Sequence, residues 1–197
     1  MARKKRPLRK TKNTILILCG NTKTEHNYFS GFKRKITRTG KVVVELSKNG
    51  DNSCTPVKLV KEAIKIKEER KNLHSIWVVC DKDDFDLSKA LGIAEKNGIN
   101  VAWSNQAFEI WFILHFEYLT KYIDRRKYSE ILKVIFGKDY RKTDKTLFNQ
   151  TFKNIDKAIE NAKRGHQQHI RDGNQPDKAC SCTTVYKLAE ELLNWID

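Results

Sequence analysis

Hydrophobic residues fall along the chain in two kinds of pattern. Thr14–Cys19 (TILILC) and Ser75–Cys80 (SIWVVC) are short unbroken apolar runs, as expected of strands covered on both faces. Lys41–Ser47, which contains VVVEL, and Ile99–Trp103 predict two more strands. Between these runs the spacing turns helical. Glu25–Ile36 carries Tyr28, Phe29 and Phe32 on one side. Thr55–Pro56 opens a helix, with Thr as N-cap and Pro at the first helical position, and Val60, Ala63, Ile64 and Lys67 line one stripe that Leu59 and Ile66 widen. Leu87–Asn97 is a third helix, stopped by Gly98. Ser104–Tyr118 is apolar nearly all round and predicts a buried helix. Polar helices over about 125–137 and 146–165, a polar loop from His166 to Cys182, and a last helix Thr184–Ile196 complete the chain. Strands alternating with helices predict an α/β fold: a compact, mostly parallel sheet with helices on both faces. The core is expected over 13–118, with a helical appendage at 119–197 packed on it.

Charge changes this picture at one end. The chain has 197 residues and a formal net charge of +15. Residues 1–12 carry seven of its 39 basic side chains and no acid, so the remainder is still near +8. A polar, like-charged start predicts a flexible arm, with Arg3, Lys4, Lys5 and Arg6 as contacts to a polyanion. Nucleic acid, DNA or RNA, is the expected partner. The longest near-apolar stretch, around Ala107–Phe116, is interrupted by Glu109 and too short for a membrane span. No small-residue cleavage site follows the basic start. Five cysteines, an odd number, argue against a secreted disulfide scaffold. A cytoplasmic protein without a membrane partner is expected.

In a parallel sheet, ligands sit at the carboxyl ends of the strands, and three polar clusters fall there. Asp81 and Asp83 follow the third strand; alternate residues of extended chain share a face, and two carboxylates so placed call for a cation such as Mg2+, or for basic neighbours such as Lys82. A solvated loop capping the next helix is the plainer alternative. Glu25, after the first strand, could complete a metal site, with Lys23 contacting phosphate; equally, Thr24 could cap the helix and Glu25 favour its dipole. Gly20…Lys23-Thr24 lacks the spacing and second glycine of a phosphate loop. Glu109 lies on the helix predicted to be buried, where a carboxylate needs a partner; Asn105, four residues earlier, would share its face. His115 reads as a core histidine. His166-x-x-His169 and Cys180-x-Cys182 have poor spacing for zinc.

Four stretches, ILILCGNTKTEHNYFSGF (15–32), IWVVCDKDDF (76–85), VAWSNQAFEIWFILHFE (101–117) and TTVYKLAEELL (183–193), resemble the RloB-like family in that family's order. The resemblance implies a Toprim-type core, encoded in bacterial defence or restriction loci and often beside an ATPase. It further implies Mg2+ (or Mn2+) held by an Asp-x-Asp pair and a glutamate for phosphodiester chemistry. Carried over, Asp81 and Asp83 match the pair and Glu25 the glutamate of the family's T-E. The family pattern after the first strand is similar to C-E-G-x-x-T-E; here Gly20 and Asn21 follow Cys19, so the first glutamate is missing.

The expected function is a Mg2+-dependent nuclease in anti-phage or restriction-associated defence. Asp81, Asp83, Glu25 and Glu109 would serve the metal, and Lys23 the developing charge. The alternative is a non-catalytic subunit that binds nucleic acid or an ATPase companion; a nucleotidyl or phosphoryl transferase is a third option. The number of subunits is left open, a homo-oligomer included.

Overall fold

A computed structural model describes residues 13–20, 23–48, 55–82, 85–119, 121–175 and 181–196. The basic arm, with Arg3, Lys4, Lys5 and Arg6, and Asp83 of the acidic pair lie outside the described residues. Five strands form one sheet in the order β2-β1-β3-β4-β5: β1 (Thr14–Cys19), β2 (Val43–Lys48), β3 (Leu73–Asp81), β4 (Asn100–Asn105) and β5 (Cys182–Thr183). The first four are parallel, and β5 runs antiparallel to β4. The α/β class read from the alternation of runs is the class observed.

Period-two alternation sorts the strand residues onto two cores. Ile15, Ile17, Cys19, Trp77, Val79 and Ala102 face α1 (Lys23–Thr39), α4 (Glu109–Leu114), α5 (Tyr128–Phe136), α6 (Leu147–Thr151), α7 (Ile155–Arg171) and α8 (Val185–Leu193). Leu16, Leu18, Ile76, Val78, Cys80 and Trp103 face α2 (Pro56–Glu69) and α3 (Leu87–Lys96). Alternation on a strand points successive side chains to opposite faces, so both faces must be covered if both are apolar. The layer on the α1 face is unusually aromatic. Tyr28 sits edge-on to Phe29, Phe32, Phe108, Trp111, Phe112 and Phe148 with ring centroids 5.3–6.4 Å away, the arrangement that ring quadrupoles favour.

Helix ends follow local chemistry. The Thr55 hydroxyl accepts from the Lys58 N–H at 3.3 Å, with Pro56 in the first turn of α2. Asp86 caps α3 by accepting from the Ser88 N–H. Gly98 takes φ +60° just beyond α3, where a side chain would be strained.

The largest departure from the sequence reading lies at 104–118. The helix expected over Ser104–Tyr118 is only Glu109–Leu114, because Ser104 and Asn105 continue β4 and pair with Thr183 and Cys182 of β5. The partner strand lies almost 80 residues away in sequence, so nothing local signals it: the Ser104 and Thr183 hydroxyls bond at 3.0 Å with a separation of 79. The polar stretch expected as one helix over 146–165 is divided into α6, a short 3-10 turn at Phe152–Asn154 and α7, which runs on to Arg171.

Candidate functional site

Strand order reverses direction at the centre of the sheet. From β1 the chain crosses to β2 on one side, then returns past β1 to β3 and continues outward to β4. The gap between the carboxyl ends of β1 and β3 is therefore the switch point at which open α/β sheets bind ligands. Three acidic residues reach this end from three neighbouring strands. Glu25 is in the first turn of α1, after β1, and is 2% exposed. Asp81 is the last residue of β3 and half-buried. Glu109 opens α4 after β4 and is 4% exposed.

Among the described residues a lysine pairs with Glu109. Lys142, from the segment between α5 and α6, places its Nζ 2.9 Å from Glu109 Oε1. Burial works against its charge, but Glu109, Asp81 and Glu25 outweigh that cost and hold its pKa above the ordinary lysine range. The Tyr140 hydroxyl donates to the same Glu109 oxygen at 3.2 Å. Burial pushes the Tyr140 phenol up, and the Glu109 and Glu25 charges raise it further, so the hydroxyl keeps its proton as a donor. The segment is tied to α1 itself: the Thr24 hydroxyl donates to the Lys142 carbonyl at 3.3 Å, and the Asn27 side-chain amide to the Thr143 carbonyl at 3.4 Å. Thr24 is thus inside the helix and bonded outward, not capping it.

The other predicted residues are placed by different constraints. Lys23 is exposed at the first position of α1. Lys82 is half-buried, its backbone N–H extending the β3–β4 ladder to the Ser104 carbonyl at 2.8 Å. Asn105 does not share a helical face with Glu109, because it ends β4 and only Glu109 is on the helix; the spacing of four is not a helical relation here. His115 is fully buried; its Nδ1 is 2.8 Å from the Trp111 carbonyl and its Nε2 3.4 Å from the Tyr28 hydroxyl. Lys142 and Tyr140 carry no sequence signal beyond a tyrosine and a lysine in a polar stretch without periodicity.

The model of the RloB-like protein family matches residues 15–192, most of the chain. The chain belongs to the RloB-like family. Comparison with curated proteins and with solved structures gives no match. In this RloB-like chain the residues of the acidic cluster all fall inside the matched span. Among the described residues, no three His, Cys, Asp or Glu side chains lie close enough together to hold one metal ion. His166 bonds the Tyr186 hydroxyl through Nδ1 at 3.0 Å, and Cys182 is buried in β5, while Cys180 lies outside the described residues. A cavity of about 550 Å³ opens at the amino end of β4, lined by Trp77, Val101, Trp103, His166 and Lys187. It belongs to the opposite end of the strand from the acids, since Trp77 pairs with Asn100 and Asp81 with Ser104. No helix among the described residues is long and apolar enough to cross a membrane.

Proposed function

We propose that this RloB-like protein is a Mg2+-dependent (or Mn2+-dependent) Toprim-type nuclease that acts on nucleic acid in anti-phage or restriction-associated defence. The observation that carries the reading is the arrival of Glu25, Asp81 and Glu109 at the carboxyl ends of three neighbouring parallel strands, at the switch point of the sheet. Their donors are carboxylate oxygens only, which suits a hard divalent cation. Mg2+ commonly takes one or two protein carboxylates and completes its shell with water and phosphate oxygen, so a pair of acids is enough. Asp81 and Glu25 would hold it, with Asp83 as the neighbour implied by the family pattern. When bound, such an ion polarises a phosphoryl oxygen and lowers the pKa of a water. The chain's own residues then hold and orient. Glu25 sits in the first turn of α1, where it could accept a proton from the attacking water. Glu109 is fixed by Tyr140 and Lys142 and balances the latter. Lys23 would steady developing charge. Arg3, Lys4, Lys5 and Arg6 would add sequence-independent attachment, which falls with salt.

A second reading is a non-catalytic subunit that binds nucleic acid or an ATPase companion. It is favoured by Gly20, where the family pattern carries a glutamate, and by the lack of a three-ligand group among the described residues. A Cβ added at Gly20 would meet nothing within 4 Å, so the site tolerates a side chain there. Titration of Mn2+ by calorimetry, with cleavage of plasmid and of RNA in parallel, separates the readings. The nuclease predicts Mn2+ binding and scission, both lost in Asp81→Asn, and stronger Mn2+ binding in Gly20→Glu. Wild-type protein that binds no Mn2+ and cuts neither substrate, with or without an ATPase partner, favours the second reading.

A further inference from the structure

Three buried or half-buried acids at the end of a sheet repel a phosphodiester, so a substrate phosphate needs a cation on the open side of the cluster. Lys142 has that position. Its side chain is 60% exposed while that of Glu109 is 5% exposed, so the ammonium stands between Glu109 and solvent. Its backbone is placed by α1, through the Thr24 hydroxyl, and therefore in register with Glu25 one residue on. Glu109 also accepts from Tyr140, so its oxygen keeps a hydrogen bond when Lys142 turns away. A buried carboxylate left without any donor would cost far more. The segment around Lys142 is exposed and carries Arg141 and Lys145 beside it, while Lys138 pairs with Asp144.

We infer that Lys142 is the cation that meets the phosphate of a bound nucleic-acid strand, exchanging Glu109 for a phosphate oxygen as the strand enters. The inference deepens the nuclease reading, on which it rests for the identity of the anion. No bond is made or broken in this step; an ammonium moves from one oxygen anion to another, and Tyr140 remains on Glu109.

The test compares wild type, Lys142→Met, Lys142→Arg and Lys145→Met for binding of a short fluorescent single strand, DNA and RNA in separate arms, by anisotropy in EDTA across a salt series. Mn2+ affinity of each protein is measured by calorimetry without nucleic acid. Lys142→Met is expected to weaken strand binding about tenfold, the weight of one charge-assisted hydrogen bond. Lys142→Arg is expected to restore most of it, and Lys145→Met, equal in charge lost, to cost clearly less. Mn2+ affinity is expected to hold or rise in Lys142→Met, because a competing cation leaves the acids. A merely structural counter-ion of Glu109 would move thermal stability and leave strand affinity alone. Lys142→Met and Lys145→Met binding alike, or a wild type that binds neither strand, overturns the inference. Strand binding that depends on Lys142 in a protein that takes up no Mn2+ would instead overturn only the metal part of the nuclease reading. Should Lys142→Met melt early, Lys142→Arg against Lys145→Met still decides: arginine binding no better than the Lys145 variant refutes the role.

Discussion

Gly31 is the position in α1 where one methyl group should do the most damage. A Cβ built there would lie 2.0, 2.3 and 2.5 Å from three ring carbons of Phe148 in α6, where ordinary contact begins near 3.4 Å. Phe148 is 1% exposed, and its ring is held by Phe152, Phe32 and Tyr28 at centroid distances of 4.8, 5.0 and 5.5 Å. The ring must move by more than an ångström in a core already packed to crystal-like density. Overpacking of this kind costs about 1–3 kcal/mol and sometimes more, and a fully buried ring pressed by backbone belongs at or above the top of that range. Alanine in a helix interior returns about 1 kcal/mol relative to glycine. The net for Gly31→Ala is a loss of about 2–3 kcal/mol. In a domain of this size that lowers Tm by roughly 4–12 °C. Urea unfolding and thermal melts measure it, and Phe148→Leu supplies the second arm of a cycle. The double variant should lose less than the sum of the single losses, because the smaller side chain vacates the clash. Gly31→Ala melting at or above wild type, or strictly additive losses, would refute the close approach of α1 and α6.

Two further outcomes follow from buried or capping groups. Burial pushes the His115 imidazole down to about 4, only partly offset by the Trp111 carbonyl, while an unfolded histidine titrates near 6.5. Because the folded pKa is the lower one, this contribution is intact above about pH 6.5 and is lost as pH falls toward about 4. The loss amounts to about 2–3 kcal/mol between roughly pH 7.5 and pH 4.5. Urea unfolding at the two pH values should show a smaller acid-side drop in His115→Gln than in wild type, and equal drops would contradict the burial. Thr55→Ala removes the oxygen that accepts from the Lys58 N–H. A loss of about 1 kcal/mol is expected, read as a Tm lowered by a few degrees, whereas Thr55→Asp should leave Tm close to wild type.

The strands were legible because their signal is local. TILILC and SIWVVC are apolar almost throughout, and a strand between two helical layers buries such a run on both faces. The Thr-Pro start of α2 and the glycine stop after α3 were legible for the same reason: each acts within a few residues. What escaped was set by distant partners. Ser104 and Asn105 sit before a strongly apolar stretch and read as the start of a helix, yet β5 draws them into the sheet. The acids Glu25, Asp81 and Glu109 could be picked out because carboxylates are costly at strand ends and on buried helices. Their cation could not, since Lys142 lies 33 residues beyond Glu109 among other basic side chains and is selected only by where α6 lands on α1. The family match likewise follows the runs that carry the acids and spans 15–192 without naming the lysine's role.

How firmly Lys142 is held decides whether it can serve a substrate. Two sets of contacts fix its segment, and they differ greatly in strength. The direct ties to α1, from Thr24 at 3.3 Å and Asn27 at 3.4 Å, are at the long end of hydrogen bonding. Each is worth at most about 1 kcal/mol. The ion pair at Glu109 involves a lysine that is mostly in solvent. Downstream the anchor is much stronger. Asp144 accepts from the Thr146 N–H at 2.8 Å, the Thr146 hydroxyl at 2.6 Å and Lys138 Nζ at 3.0 Å. Phe148 then buries its ring against Gly31 and Phe32, and emptying such a pocket costs about 3–5 kcal/mol. The fold therefore pins the segment at α6 and ties Lys142 itself lightly. Local displacement of Lys142 breaks only weak contacts and leaves the aromatic core in place, whereas any change that lifts Phe148 moves the segment as a whole. For this reason Gly31→Ala, six residues along α1 from Glu25, should also weaken strand binding, and should do so without altering a single charge at the site.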